Sequence, residues 1–135
     1  SCTGGMIAAA LTDISGSSGV LDRGFVTYSN HAKIEILGVK TTTLEQHGAV
    51  SEQTARAMVD GTLNAAPMAD VVLSVTGIAG PTGGGPNKPV GVVHFCCQRR
   101  GMPQNHAKHI FSGDRRTIRY QAVKTALLMI NDALA

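Results

Sequence analysis

The first five residues, Ser1-Cys2-Thr3-Gly4-Gly5, combine a hydroxyl nucleophile with a tight glycine turn. The apolar stretch that follows, residues 6–11, predicts a helix. A serine just before a helix N-terminus lies where unpaired backbone N–H groups and the helix dipole favour negative charge. Such a serine could attack a carbonyl group with an oxyanion site beside it, as hydrolases do. The alternative is that Ser1 or Thr3 only caps the helix.

Histidine and cysteine residues do not form a recognisable metal site in the sequence. His106 and His109 have an HxxH spacing, and His94 and Cys96 would share one face of a strand. Neither pair has third and fourth ligands at a usual spacing, and the HExxH pattern is absent. We therefore expect no metal and no other cofactor. His47, which lies in a turn before a predicted helix, is expected to be a turn residue and not a base.

Composition restricts the class of protein. With 135 residues, of which 43% are hydrophobic, the chain is long enough for one domain, and no apolar run approaches the roughly 20 residues that span a bilayer. The net charge is +3, but the twelve lysines and arginines are scattered and not interleaved with aromatic residues, which argues against nucleic-acid binding. Three cysteines without a CxxC pair suggest no disulfide framework. We expect a cytoplasmic protein with a small anionic ligand and no membrane contact.

Helical and strand periods alternate along the chain in the manner of α/β proteins. Helices are predicted over 30–37, 51–65 and 114–135, and strands over 24–28, 69–76, 90–98 and 106–111, the last antiparallel to its neighbour. These elements predict a three-layer α/β/α sandwich with a mixed, mostly parallel sheet.

A glycine-rich segment, residues 77–91, joins two of the predicted strands. Glycine lets the backbone approach a ligand closely, and ligands of open α/β sheets collect at the carboxyl ends of strands, where Thr76 and Gly77 fall. The segment is not a P-loop, because the GxxxxGK[ST] order is absent and no helix follows it. As a bare pattern it could also be a flexible connection.

Six short motifs follow one another along the chain: SCTGG at 1–5, GFVTYSN at 24–30 with Lys33, HGAVSE at 47–52, TGIAGP at 76–81, KPVG at 88–91 and GDR at 113–115. In this order and over essentially the whole chain they resemble the motifs of the CinA C-terminal-domain family, the nicotinamide mononucleotide amidases. Members of that family usually have a further helix and strand before the SCTGG turn. We therefore expect residues 1–135 to form a single domain of this type that lacks its N-terminal helix and strand.

The resemblance implies hydrolysis of the carboxamide of nicotinamide mononucleotide, which yields nicotinic acid mononucleotide and ammonia in pyridine-nucleotide salvage, without a metal. It implies a catalytic pair at the matching positions, Ser1 and Lys33, with Tyr28 near the substrate, where its ring could stack on the pyridinium or orient the lysine. Tyr28 could instead be a core aromatic. The residues expected to contact substrate are Thr3, Gly4, Gly5, Thr76, Gly77 and Arg115, the last at the phosphate; Thr76 could instead satisfy a strand end.

A lysine can serve as a base only when it is neutral. If Asn30 caps the helix over 30–37, Lys33 lies in its first turn, where the dipole disfavours positive charge. Burial beneath the Tyr28 ring would lower the lysine pKa in the same direction. The alternative is an ordinary exposed lysine.

Two other functions stay open at this point. One is a noncatalytic nucleotide-binding or regulatory module, and the other is an N-terminal nucleophile hydrolase in which the α-amino group of Ser1 is the base. Asp114 is expected to cap the last helix and not to act as an acid. We also expect a homo-oligomer, specifically a dimer.

Overall fold

The computed structural model describes residues 1–135, which form five α-helices and three β-strands. In chain order these are α1 (Met6–Thr12), α2 (Asn30–Leu37), α3 (Thr41–His47), α4 (Glu52–Ala65), β1 (Val71–Gly77), β2 (Val92–Arg99), β3 (Asn105–Ile110) and α5 (Arg115–Leu134). A single 3₁₀ turn spans Ser17–Gly19. None of the helices is long and apolar enough to cross a membrane.

The sheet has the order β1-β2-β3, and both strand pairs are antiparallel. The predicted mostly parallel sheet is therefore wrong. The physical reason is the connection between β1 and β2, the glycine-rich segment, which contains no helix. Parallel neighbours need a crossover, usually a helix, whereas a loop that simply returns the chain gives an antiparallel pair.

The strand predicted over 24–28 is also wrong, because this segment joins no sheet. Its alternating apolar residues are typical of a strand, but two of its carbonyl groups, those of Thr27 and Tyr28, accept hydrogen bonds from the Lys33 ammonium. Hydrogen bonds from the Lys33 side chain thus replace those that a neighbouring strand would donate. Helix α3 was not predicted at all; it is short and begins without a side-chain cap.

The two faces of the sheet bury different helices, since side chains alternate along each strand. One face carries Val75, Phe95 and Cys97, which pack in one core cluster with residues of α5, including Ile118 and Ala122. The opposite face carries Val72 and Cys96, which pack against Ala55 and Val59 of α4. The sheet consequently lies between α4 and α5.

Helix α2 lies close to α4 because a glycine, Gly61, stands at the point of contact. A Cβ atom at Gly61 would lie 1.9 Å from the carbonyl oxygen of Leu37, so only glycine allows this approach. Leu37, Val39, Leu44 and Met58 then form a small separate core between α2, α3 and α4. This contact fixes the position of Lys33, which lies on the same helix as Leu37.

The N-cap expected at Asp114 is confirmed, and the one assumed at Asn30 is not. The Ser51 hydroxyl accepts a hydrogen bond from the Thr54 N–H, and the Asp114 carboxylate accepts one from the Thr117 N–H, as an N-cap does. The assumed Asn30 cap of α2 is wrong, since the capping hydroxyl belongs to Ser29. Lys33 is therefore the fourth residue of α2.

Candidate active site

Six of the nine residues singled out from the sequence meet at one cavity of about 280 Å³. They are Ser1, Tyr28, Lys33, Thr76, Gly77 and Arg115. The cavity lies where the first turn of the chain meets the carboxyl end of β1, the start of the glycine-rich segment and the turn before α4. Thr3, Gly4 and Gly5 do not line it.

Lys33 is a buried cation without a carboxylate partner. Its residue is 1% exposed, and its Nζ donates to the carbonyl oxygens of Thr27 at 2.8 Å and Tyr28 at 3.2 Å. No carboxylate lies within 4.0 Å of it. Burial lowers its pKa, because an ammonium loses its hydration there. The direction agrees with the prediction, but the Tyr28 ring does not cover the lysine, since Tyr28 is 62% exposed.

Ser1 is half-buried and belongs to a turn that two contacts hold rigid. Within the turn, the Gly4 N–H donates to the Ser1 carbonyl oxygen at 3.0 Å. Outside it, the Ser1 nitrogen donates to the carbonyl oxygen of Val75, which ties the turn to the edge of β1. Gly4 and Gly5 have φ angles of 59° and 97°, a backbone region that favours glycine. The glycines thus shape the turn that presents Ser1.

The cavity wall also exposes backbone donors. The N–H groups of Cys2, Ala79 and Gly80 make no hydrogen bond within the protein, although all three residues are buried and line the cavity. Buried N–H groups are normally paired, so unpaired ones at a cavity are available to a ligand. The sequence analysis assigned no role to Ala79 or Gly80, although both lie in the glycine-rich segment and in the TGIAGP motif.

Thr76 and Gly77 shape the floor of the cavity. The Thr76 hydroxyl donates to the carbonyl oxygen of Ala49 at 2.8 Å and so holds the turn before α4. A Cβ atom at Gly77 would lie 2.7 Å from Cγ2 of Val93 and 2.9 Å from the Val92 carbonyl oxygen, so a side chain there would disturb the strand pair. The proton of the Thr76 hydroxyl is therefore engaged within the protein.

Arg115 reaches the cavity from the first turn of α5. Its Nη1 donates to the Gly80 carbonyl oxygen at 2.8 Å, and its Nη2 lies 3.4 Å from the Tyr28 hydroxyl. Asp114 forms no ion pair with it, because that carboxylate caps α5. Arg115 thus brings an uncompensated positive charge to the cavity rim, and Tyr28 stands beside it instead of in the core.

The histidines lie elsewhere. His94 and His106 form a hydrogen bond of 2.9 Å between their rings, and His106 lies 3.6 Å from Glu52. His109 is on the other face of β3, where its ring stacks on Phe111. His47 ends α3, and its carbonyl oxygen accepts a hydrogen bond from Lys88. No group of three or more His, Cys, Asp or Glu residues is arranged to hold a metal ion.

Comparison with known proteins finds a matching family model and closely similar relatives. The family model of the CinA C-terminal domain matches residues 1–134. Over 127 residues the chain is 58% identical to the nicotinamide-nucleotide amidohydrolase PncC of Enterobacter agglomerans, an alignment that covers 94% of this chain and 77% of that protein. It is 50% identical to the protein of the same name from Escherichia coli K12, with 94% and 76% covered.

A solved structure has the same fold as this chain. The crystal structure of the competence/damage inducible protein CihA from Agrobacterium tumefaciens superposes with a TM-score of 0.97 at 49% sequence identity. The match covers 100% of this chain and 82% of that one. The antiparallel sheet and its flanking helices are therefore shared with an experimentally determined fold.

Proposed function

The chain belongs to the CinA C-terminal domain family, and we propose that it is an amidohydrolase that converts nicotinamide mononucleotide to nicotinic acid mononucleotide and ammonia. The observation that carries the proposal is the cavity in which a half-buried serine, a buried lysine and an unpaired arginine meet. The names of the two amidohydrolase relatives support the substrate. The expected dimer stays a prediction, which light scattering tests.

In this proposal Ser1 is the nucleophile and Lys33 the base. A neutral lysine amine has two N–H donors and one lone pair. The carbonyl oxygens of Thr27 and Tyr28 take up the two donors, which leaves the lone pair for the serine proton. An ammonium would carry a third N–H that has no acceptor in the protein. The two hydrogen bonds therefore orient the amine, and burial favours its neutral form.

The reaction then proceeds through an acyl-enzyme. The Ser1 Oγ forms a bond to the carboxamide carbon while Lys33 accepts the hydroxyl proton. Collapse of the tetrahedral intermediate breaks the carbon–nitrogen bond, and the lysine returns the proton to the leaving ammonia. Water, deprotonated by the same lysine, hydrolyses the ester. The free N–H groups of Cys2, Ala79 and Gly80 are the candidates for holding the oxyanion.

Two further residues bind the rest of the substrate. Arg115 is a planar cation with N–H groups to spare, which suits the phosphate of a mononucleotide. Tyr28 offers an exposed ring beside it for the pyridinium. Thr3, Gly4 and Gly5 act indirectly, by shaping the Ser1 turn.

The test is release of ammonia from nicotinamide mononucleotide by the purified protein in the presence of EDTA. We expect activity in chelator and none in Ser1→Ala. Activity that disappears with EDTA and returns with zinc would refute the serine–lysine mechanism. Binding of the mononucleotide without ammonia release would favour the noncatalytic module.

A second variant separates the lysine from the amino group of Ser1 as the base. Addition of one alanine before Ser1 removes a free α-amino group there but leaves Lys33 in place. We expect turnover to survive this extension and to be lost in Lys33→Ala. The reverse result would identify an N-terminal nucleophile hydrolase.

A further inference from the structure

A second cavity lies beside the active-site cavity and is lined by arginines. This arginine cleft has a volume of about 310 Å³, and its lining residues are Met6, Arg115, Arg116, Arg119 and Tyr120. Arg115 belongs to both cavities, so the cleft adjoins the site at which we place the substrate phosphate. Neither the mechanism nor the sequence motifs account for Arg116 and Arg119.

The three guanidinium groups of the cleft form no ion pair, although the Tyr120 hydroxyl and, to a smaller extent, the Asp114 carboxylate raise the pKa of Arg116. None of the ion pairs of the chain involves them, although all three lie within two turns of α5. Arg119 donates to the carbonyl oxygens of Cys2 at 3.3 Å and Thr3 at 3.2 Å, and Arg116 lies over the Tyr120 ring at 5.4 Å. Both contacts hold a side chain in place and leave N–H groups unused.

Such an arrangement attracts anions, because three positive charges line one cleft without an ion pair. Like charges that converge on one cleft repel each other, and the repulsion is relieved by a bound group of opposite charge. Guanidinium groups recognise phosphate oxygens with paired, charge-assisted hydrogen bonds. A single phosphate on Arg115 would leave the charges of Arg116 and Arg119 unused.

We propose that the arginine cleft binds the second phosphate of a diphosphate whose first phosphate lies on Arg115. The location of that first phosphate rests on the proposed function. The ligand class is a diphosphate, either inorganic pyrophosphate or the diphosphate bridge of a nicotinamide dinucleotide. Because both need Arg115, a diphosphate and the mononucleotide substrate exclude each other, and the cleft makes the enzyme sensitive to diphosphates.

The first experiment measures binding directly, by calorimetry at constant ionic strength, with pyrophosphate and orthophosphate as probes. We expect pyrophosphate to bind more tightly than orthophosphate and Arg116→Gln to weaken pyrophosphate binding by about tenfold, the loss of one charge-assisted hydrogen bond. Lys124→Gln is the matched control: it removes the same charge from an exposed position two turns further along α5, outside the cleft. It should change the affinity by less than about twofold, since distant surface charges are screened.

Two results of this experiment would overturn the proposal. One is an Arg116→Gln protein that binds pyrophosphate as the unmodified protein does. The other is an equal loss in Lys124→Gln, which would mean a diffuse attraction of anions and no site. Circular dichroism of each variant confirms that it is folded.

The second experiment measures competition. Pyrophosphate should raise the KM for the mononucleotide and leave kcat unchanged. The same measurement with nicotinamide adenine dinucleotide shows which of the two diphosphates is the stronger inhibitor, and so which one the cleft recognises. Pyrophosphate that binds but does not compete would refute the sharing of Arg115. If the protein fails to hydrolyse the mononucleotide, the proposed function fails alone, because the calorimetric result does not depend on turnover.

Discussion

Two regions of this molecule bury titratable side chains, and they differ in what remains unpaired. Lys33 has two backbone carbonyl partners, no carboxylate, and a cavity beside it. The histidine cluster, which consists of His94, His106 and Glu52, lies on the α4 side of the sheet, and its members interact with one another. A buried group with one interaction left free, facing a cavity, can do chemistry, whereas a buried group whose partners surround it contributes to folding.

The histidine cluster continues into a network of side chains. Glu52 accepts a hydrogen bond from Nε of Arg56 at 2.8 Å, and Arg56 in turn lies 3.2 Å from the Gln104 side chain. His94 is only 9% exposed, and burial lowers its pKa to about 4. None of these residues lines the active-site cavity. The contrast with Lys33 can therefore be tested by substitutions on both sides.

The largest expected effect is that of Lys33→Met. The methionine keeps the length of the buried chain and removes the base, so turnover should fall by about 10²–10⁴-fold. The free energy of unfolding should change little, because loss of the hydrogen bonds to Thr27 and Tyr28 is offset by removal of the penalty for burying an amine. The measurements are ammonia release and urea denaturation. Turnover close to that of the unmodified protein would mean that Lys33 is not the base.

His94→Ala should have the opposite profile. It removes the hydrogen bond to His106 and leaves a gap in a buried layer, which costs about 1–3 kcal/mol of unfolding free energy. Turnover of the folded fraction should not change, since the cluster does not reach the cavity. Urea denaturation and kcat of the same preparation give both values. A fall in kcat with unaltered stability would place the histidines in the mechanism.

Arg115→Ala should affect binding more than chemistry. Loss of the proposed phosphate contact should raise the KM for nicotinamide mononucleotide by about tenfold. Use of nicotinamide riboside, which lacks the phosphate, should hardly change. Equal losses on both substrates would show instead that Arg115 supports the fold through its hydrogen bond to Gly80.

The smallest effects are expected in the dependence of stability and of turnover on pH. Stability reports on the histidine cluster, and turnover reports on Lys33. The pKa of His94 is lowered on folding, so the unfolded chain binds more protons, and stability should fall as the pH drops from about 6.5 towards 4. Turnover should instead rise with pH through the lowered pKa of Lys33, below the value of about 10.4 of a free lysine.

The variants show which group is responsible for each profile. His94→Ala should reduce the acid loss of stability, measured as the urea midpoint, without moving the profile of turnover. If the pH profile of turnover shifts in this variant, the histidine cluster influences the Lys33 site, and the two regions are not independent.

Local elements were predictable because their signals are local. Helix α2 occupies the predicted range, α4 begins one residue after its predicted start, and Asp114 caps α5. Errors arose where a distant partner decides the outcome. Residues 24–28 have the alternation of a strand, but Lys33 takes their carbonyl groups, and Tyr28 is exposed beside Arg115 instead of packed in the core.

The sequence by itself determined the family, the α/β class and the location of four of the five helices, and it supplied six of the residues that line the cavity. The tertiary structure alone decided the antiparallel direction of the sheet, the meeting of Ser1, Lys33 and Arg115 at one cavity, and the free N–H groups in its wall. The physical reason is the range of the forces concerned. Periodicity and capping depend on neighbours a few residues away, whereas burial, charge pairing and cavity shape depend on segments brought together only when the whole chain packs.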